Sequence, residues 1–102
     1  MRFVLHVSLP VEKFNAAVRD GSAGQKIARI LEDTKPEAVY FCAIDEGKRG
    51  GFLVVEMKDV SEIPKYAEPW FLNFDATIKF LPVMTPEDLQ RAGLDALSKK
   101  WG

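Results

Sequence analysis

The chain opens on strict alternation. In "RFVLHVSLP", Arg2 to Pro10, every second residue (Phe3, Leu5, Val7, Leu9) is apolar, while the intervening set, Arg2, Val4, His6 and Ser8, is mixed. Period two marks a strand with one face in a core. The period then lengthens. Val11, Phe14 and Val18 recur at i, i+3 and i+7, which places them on one helical face. "RDGSAGQ" interrupts that face, because Gly21 and Gly24 are poor helix residues, and Ser22 with Gln25 has the spacing of a capping box. Periodicity resumes in "KIARILEDT" through Ile27, Ile30 and Leu31, so a broken or kinked helical segment is expected over Val11–Asp33.

Pro36 ends the helix, and "EAVYFCAID", rich in β-branched and aromatic residues, reads as a second strand. "EGKRGG" supplies glycines for a rather long hairpin loop before the third strand, "FLVVEM". Asp59 or Ser61 then caps a short helix whose apolar face holds Ile63, Tyr66, Ala67 and Trp70, with Pro69 tightening or kinking its last turn. "ATIKFLPV" is the fourth strand. A final helix starts at "TPED", where Thr85 is the N-cap, Pro86 the first helical residue, and Glu87 and Asp88 meet the positive end of the helix dipole. Leu94, Leu97 and Trp101 lie along one stripe of it.

The resulting order, βαββαβ plus a C-terminal helix, predicts an α+β ferredoxin-like domain spanning residues 1–102. Right-handed crossovers make its sheet four-stranded and antiparallel, with the first and third strands central and helices on one side. The fully apolar sets belong under the helices. The opposite side would carry Val4, His6, Ser8, Phe52, Val54, Glu56, Thr77, Lys79 and Leu81. Strand two fits either way up, presenting Tyr40, Cys42 and Ile44 or Val39, Phe41 and Ala43. That second face is too apolar to stand in open water and too polar for a sealed core. A second copy, the C-terminal helix (in cis or on a partner), or a nucleic acid could cover it.

Composition narrows those choices. Fourteen basic and fifteen acidic residues leave a net charge of −1, which gives no electrostatic capture of nucleic acid or an anionic membrane. RNA-recognition strands also need several open-face aromatics for bases to stack on, and only Phe52 and His6 stand at those positions in strands three and one. Nucleic acid is therefore set aside. No apolar run approaches the length of a bilayer span, and the N-terminus lacks a signal-peptide core, so a cytoplasmic location is expected. One cysteine, Cys42, and one histidine, His6, offer no disulfide and no ligand set for a dedicated metal. No cofactor motif is present.

The stretch "RGGFLVVEMKDVSEIPKYAEPWFLNFDATIKFLPVMTPED" resembles a small bacterial family of unknown function in the dimeric α/β-barrel superfamily: a glycine turn, a "GFLVVE" strand, a short helix ending near a tryptophan, and a strand closing in proline-valine. The likeness covers the C-terminal half, and the N-terminal half agrees in plan only. Muconolactone isomerase, stress-responsive barrel proteins, and cofactor-free and haem-degrading monooxygenases share the architecture. The resemblance implies a homodimer, or a higher oligomer, in which two sheets close a barrel. It does not carry over an activity. The haem-degrading relatives take their axial histidine from a helix, whereas His6 lies on a strand, which argues against haem.

Histidine is the side chain best suited to move a proton near neutral pH. His6 is thus the candidate acid or base, with Glu56 orienting it from the neighbouring strand and Lys79 on its other side. Tyr66 and Trp70 would form the apolar wall of a pocket between helix and sheet, with Asn73 at its mouth and Tyr40 facing the same cavity. The plainer reading makes the rings core and His6 an interface residue. "DEGKRGG" is a flap or simply a surface hairpin. The enzymatic reading is cofactor-independent isomerisation or oxygenation of a small, partly aromatic molecule. The alternative is a non-catalytic small-molecule-binding or assembly module.

Overall fold

The computed structural model describes every residue from Met1 to Gly102. Strands β1 (Arg2–Ser8), β2 (Ala38–Ile44), β3 (Lys48–Glu56) and β4 (Thr77–Val83) form one sheet in the order β2-β3-β1-β4, every neighbouring pair antiparallel. Helices α1 (Val11–Arg19), α2 (Ala23–Thr34) and α3 (Ile63–Phe74) cover one side, and α4 (Pro86–Arg91) and α5 (Leu94–Trp101) follow β4. This is the expected ferredoxin-like arrangement.

Register explains why it holds. Phe3, Leu5 and Val7 of β1 stand opposite Val55, Leu53 and Gly51 of β3, so the alternating apolar set of each central strand points the same way. Beneath the helices these residues join Phe14, Ile30, Trp70 and Phe74 in one buried cluster. The rings of Phe14 and Phe74 lie 5.1 Å apart, and those of Trp70 and Phe74 6.1 Å apart. A slip of one residue in β1 would turn this whole set outward, and burial makes that prohibitive.

Of the broken or kinked alternatives for the first helical segment, the break is found: it is two helices, because the chain turns at Asp20–Ser22 through Gly21 at φ +81°. Other local expectations are corrected. The Ser22–Gln25 box does not form. Asp20 instead accepts from the Ser22 amide at 2.8 Å, and the Ser22 hydroxyl is buried without a partner. Of the two caps considered before α3, Asp59 is used: it accepts from the Ser61 amide while Glu62 accepts from the amides of Lys58 and Asp59, closing a capping box. The single C-terminal helix is also two, broken where Gly93 adopts φ +74°. Thr85 and Asp88 do form a reciprocal cap at the start of α4.

The long hairpin loop is short. β3 begins at Lys48, leaving Asp45, Glu46 and Gly47, all left-handed at φ 42°, 64° and 83°. Two non-glycine residues in that region are held there against an intrinsic cost of about 1 kcal/mol each. Gly50 explains what holds them. A Cβ on Gly50 would collide with the Val7 carbonyl and with the side chain of Ile44, which lies directly over it. Ile44 clamps the hairpin down because position 50 has no side chain.

Three outcomes follow from these contacts. Leu53→Ala removes a side chain that is fully buried and should cost about 2–5 kcal/mol in urea unfolding, whereas Leu72→Ala on the exposed side of α3 should stay within about 0.5 kcal/mol. Gly50→Ala should destabilise by about 1–3 kcal/mol as the new methyl forces β1 back at the Val7 carbonyl and displaces Ile44, visible as a lowered Tm. Asp59 and Glu62 are held below their ordinary values by the backbone amides they accept from. Their contribution is therefore complete above the ordinary carboxylate range and is lost as pH falls through the lowered values. Amide exchange at Lys58, Asp59 and Ser61 should accelerate in acid beyond the intrinsic rate change.

Candidate functional site

Pairing across the sheet decides which of two alternatives β2 takes. Tyr40 stands opposite Phe52, Phe52 opposite His6, and His6 opposite Lys79. Cross-strand partners share a face. Tyr40, Cys42 and Ile44 thus lie on the helix-free side, and one transverse row reads Tyr40, Phe52, His6, Lys79. The row above it is Ala38, Val54, Val4 and Leu81, and the row below is Cys42, Gly50, Ser8 and Thr77.

His6 is the most constrained member of its row. Its ring stacks on Phe52 with centroids 5.1 Å apart and planes 23° from parallel. Such a contact contributes about 0.5–1.5 kcal/mol beyond burial. The side chain is 17% exposed, and its Nε2 is occluded without a hydrogen-bond partner. The nearest acid is Asp45, whose Oδ2 lies 3.7 Å away, too far for a direct hydrogen bond and close enough to tighten into one. The left-handed turn beside Gly50 delivers that carboxylate. Tyr40, by contrast, is 68% exposed and presents its ring to solvent, and Lys79 is exposed on the other flank.

The expected orienting acid is elsewhere. Glu56 stands opposite Arg2, two rows beyond Phe52, and receives the Met1 amino group at 2.7 Å. Together with Arg2, which binds Glu37 at 3.1 Å, it forms a charged rim at the far end of the open face. The Arg2 guanidinium is pushed further up, chiefly by its hydrogen bond to Glu37 and that carboxylate's charge. Asp45 takes the position beside His6 that the strand pattern assigned to Glu56. Only the coiling of the hairpin brings it there, and the nearest local signal was the glycine of the "DEG" turn.

The proposed aromatic wall is also separated from His6. Trp70 and Tyr66 are buried under α3 on the opposite side of the sheet, where the Tyr66 hydroxyl donates to the Glu56 carbonyl at 3.3 Å. They are core. Asn73 donates to the Pro69 carbonyl at 2.7 Å and faces a polar groove with Lys26, Arg29 and Lys35. The structure thus unites His6, Lys79 and Tyr40, and leaves Glu56, Tyr66, Trp70 and Asn73 apart. An apolar groove of about 440 Å³ does open between the helices and the sheet, lined by Leu9, Phe14, Ile27, Phe41 and Arg49. It lies mainly on the helix side, although Cys42 and Gly50, in the row next to that of His6, also line it. Three His, Cys, Asp or Glu side chains nowhere converge as a metal site would require, and no helix is long and apolar enough to cross a membrane.

In chemical terms the row offers a stacked imidazole beside a carboxylate, a flat exposed ring and a free ammonium group. That set can hold a planar molecule, exchange a proton with it and stabilise negative charge on an oxygen.

Comparison with known proteins adds two findings. A family profile described as "Domain of unknown function (DUF3303)" matches residues 1–97. Among solved structures, the 5-chloro-2-hydroxyhydroquinone dehydrochlorinase TftG from Burkholderia phenoliruptrix AC1100, in complex with 2,5-dihydroxybenzoquinone, superposes with a TM-score of 0.62. The match covers 85% of this chain and 97% of that one at 14% identity, a likeness of fold. None of the curated proteins compared with the chain matches it.

Proposed function

The chain belongs to the DUF3303 family, and on that premise we propose that it is a homodimer whose helix-free sheet faces close around the His6 row as a cofactor-independent site for a small, partly aromatic molecule. The observation that carries this reading is the occluded, unpartnered Nε2 of His6 beside Asp45, on a face that otherwise presents apolar and aromatic side chains. A buried nitrogen without a partner costs free energy, and proteins keep such groups where a ligand, a water or a proton transfer uses them. Pairing of two sheets is the architecture implied by the likeness to the dimeric α/β-barrel proteins, muconolactone isomerase among them.

In this reading Tyr40 and Phe52 flank the planar ring of the ligand. His6 takes or returns a proton at Nδ1, and Asp45, on the Nε2 side, holds the imidazole in one tautomer. Lys79, exposed at the end of the row, stabilises an oxyanion as the ring is deprotonated. Proton transfer of this kind is the chemistry of isomerisation and of substrate activation toward oxygen. It fits the hydroxylated quinone bound by TftG as a class of probe, although at 14% identity the two proteins share only a fold.

Native mass spectrometry of the purified protein, followed by calorimetric titration with 2,5-dihydroxybenzoquinone and related hydroxy-aromatics, tests the reading. A dimer that binds one of these, and loses binding or turnover at least tenfold in His6→Ala and Lys79→Ala while remaining dimeric, supports it. A His6→Ala protein that instead dissociates, with no ligand recovered from the parent, would assign the row to assembly alone. That is the module reading, favoured by the tight His6–Phe52 stack.

A further inference from the structure

We propose that the C-terminal arm, residues 85–102, is exchanged between protomers: it packs on the helix-free sheet face of a second copy of this chain, and the His6 row is roofed only when it arrives. The proposal rests on the dimer reading above and deepens it by naming the segment that completes the interface.

The dimensions of the chain show that the arm stands apart from its own body. The radius of gyration is 17.1 Å, against about 13 Å for a compact domain of this length. The long axis is 60 Å. The nine residues of β3 extend about 30 Å, and helices over residues 86–102 add about 26 Å. Body and arm laid end to end therefore account for the length. Neither α4 nor α5 buries a residue.

The arm is nevertheless carefully built. Thr85 and Asp88 cap its first helix reciprocally, and left-handed Gly93 sets the joint to the second. Along α5, Leu94, Leu97 and Trp101 line one stripe, with Trp101 77% exposed. Helices of six and eight residues are not stable alone in water. This one needs a surface to lie on.

Area identifies that surface. Four strands about 4.8 Å apart and seven residues long present a face of about 19 by 23 Å, or roughly 440 Å². A stable dimer buries about 800 Å² on each partner, so two bare faces fall short. One side of the arm, about 26 by 10 Å, adds roughly 260 Å² and nearly closes the gap. Charge permits self-association: Glu87, Asp88 and Asp95 are balanced by Arg91, Lys99 and Lys100, which selects no strongly charged partner. Two-fold symmetry then satisfies both arms and both faces with a single contact repeated twice.

Sedimentation velocity over a wide concentration range tests this on three proteins: the intact chain, the Leu97→Asp/Trp101→Asp double variant, and Phe52→Asp. Iodide quenching of tryptophan emission adds a local readout, because Trp70 is buried and only Trp101 is accessible. The intact chain should dimerise, with Trp101 becoming shielded as the dimer forms. The arm variant should raise the dissociation constant by roughly two orders of magnitude while its circular dichroism melt stays cooperative. An arm variant as dimeric as the parent, with Phe52→Asp dissociated, overturns the arm exchange and leaves the dimer reading standing. An intact chain that is monomeric at all concentrations overturns both, and shielding of Trp101 in that monomer would place the arm on its own sheet.

Discussion

A four-stranded sheet with helices on one side has one face to bury and one to account for. In this chain the first requirement is met almost without exception. Phe3, Leu5 and Val7 on β1 and Leu53 and Val55 on β3 are all buried, and their register lets no other pairing satisfy both strands. Removing that apolar area from water is the largest favourable term available to a domain of this size, and it holds the sheet in one register. Every position on the other face inherits its place from that constraint. Leu5 cannot point inward beneath the helices without His6 pointing out on the other side, and Leu53 cannot do so without Phe52 standing beside it.

The open face is therefore a consequence of the core, and its composition is where function enters. A surface meant for water would carry charge along its strands, yet Val4 of β1, Phe52 and Val54 of β3 and Leu81 of β4 occupy those positions. Charge is kept to the rim, in Arg2, Glu37 and Glu56 at one end. Near the other end, the His6–Phe52 stack and Asp45 form a local polar centre within apolar surroundings. Within that pair the imidazole is the shielded member and the Asp45 carboxylate the solvated one.

The two sheet edges differ in a related way. β4 carries Lys79 and Pro82, a charge and a residue without an amide hydrogen, both of which discourage pairing with another strand. β2 is "AVYFCAI" from end to end, with Tyr40, Phe41 and Cys42 exposed, and has neither defence. The unprotected edge adjoins the apolar face, so the surfaces that shun water are contiguous.

Period-two and period-3.6 patterns in the sequence were enough to determine the order of elements, the central position of β1 and β3, the buried set, and the side of the sheet shared by His6 and Lys79, because each depends on local periodicity and one rule of crossover hand. They also placed the cap at Thr85 and narrowed the one before α3 to Asp59 or Ser61, of which Asp59 is used. Tertiary structure alone decided the rest. Which way β2 faces depends on its register with β3. Asp45 reaches His6 only because three left-handed residues coil the hairpin and Gly50 leaves room for Ile44 to hold it. Tyr66 and Trp70 share a helix face that the sequence shows plainly, but only the stacking of layers reveals that the sheet stands between them and His6. Helix breaks at Gly21 and Gly93 were likewise open to choice, since a glycine permits a reversal without requiring one; at Gly21 the buried faces of α1 and α2 make the selection.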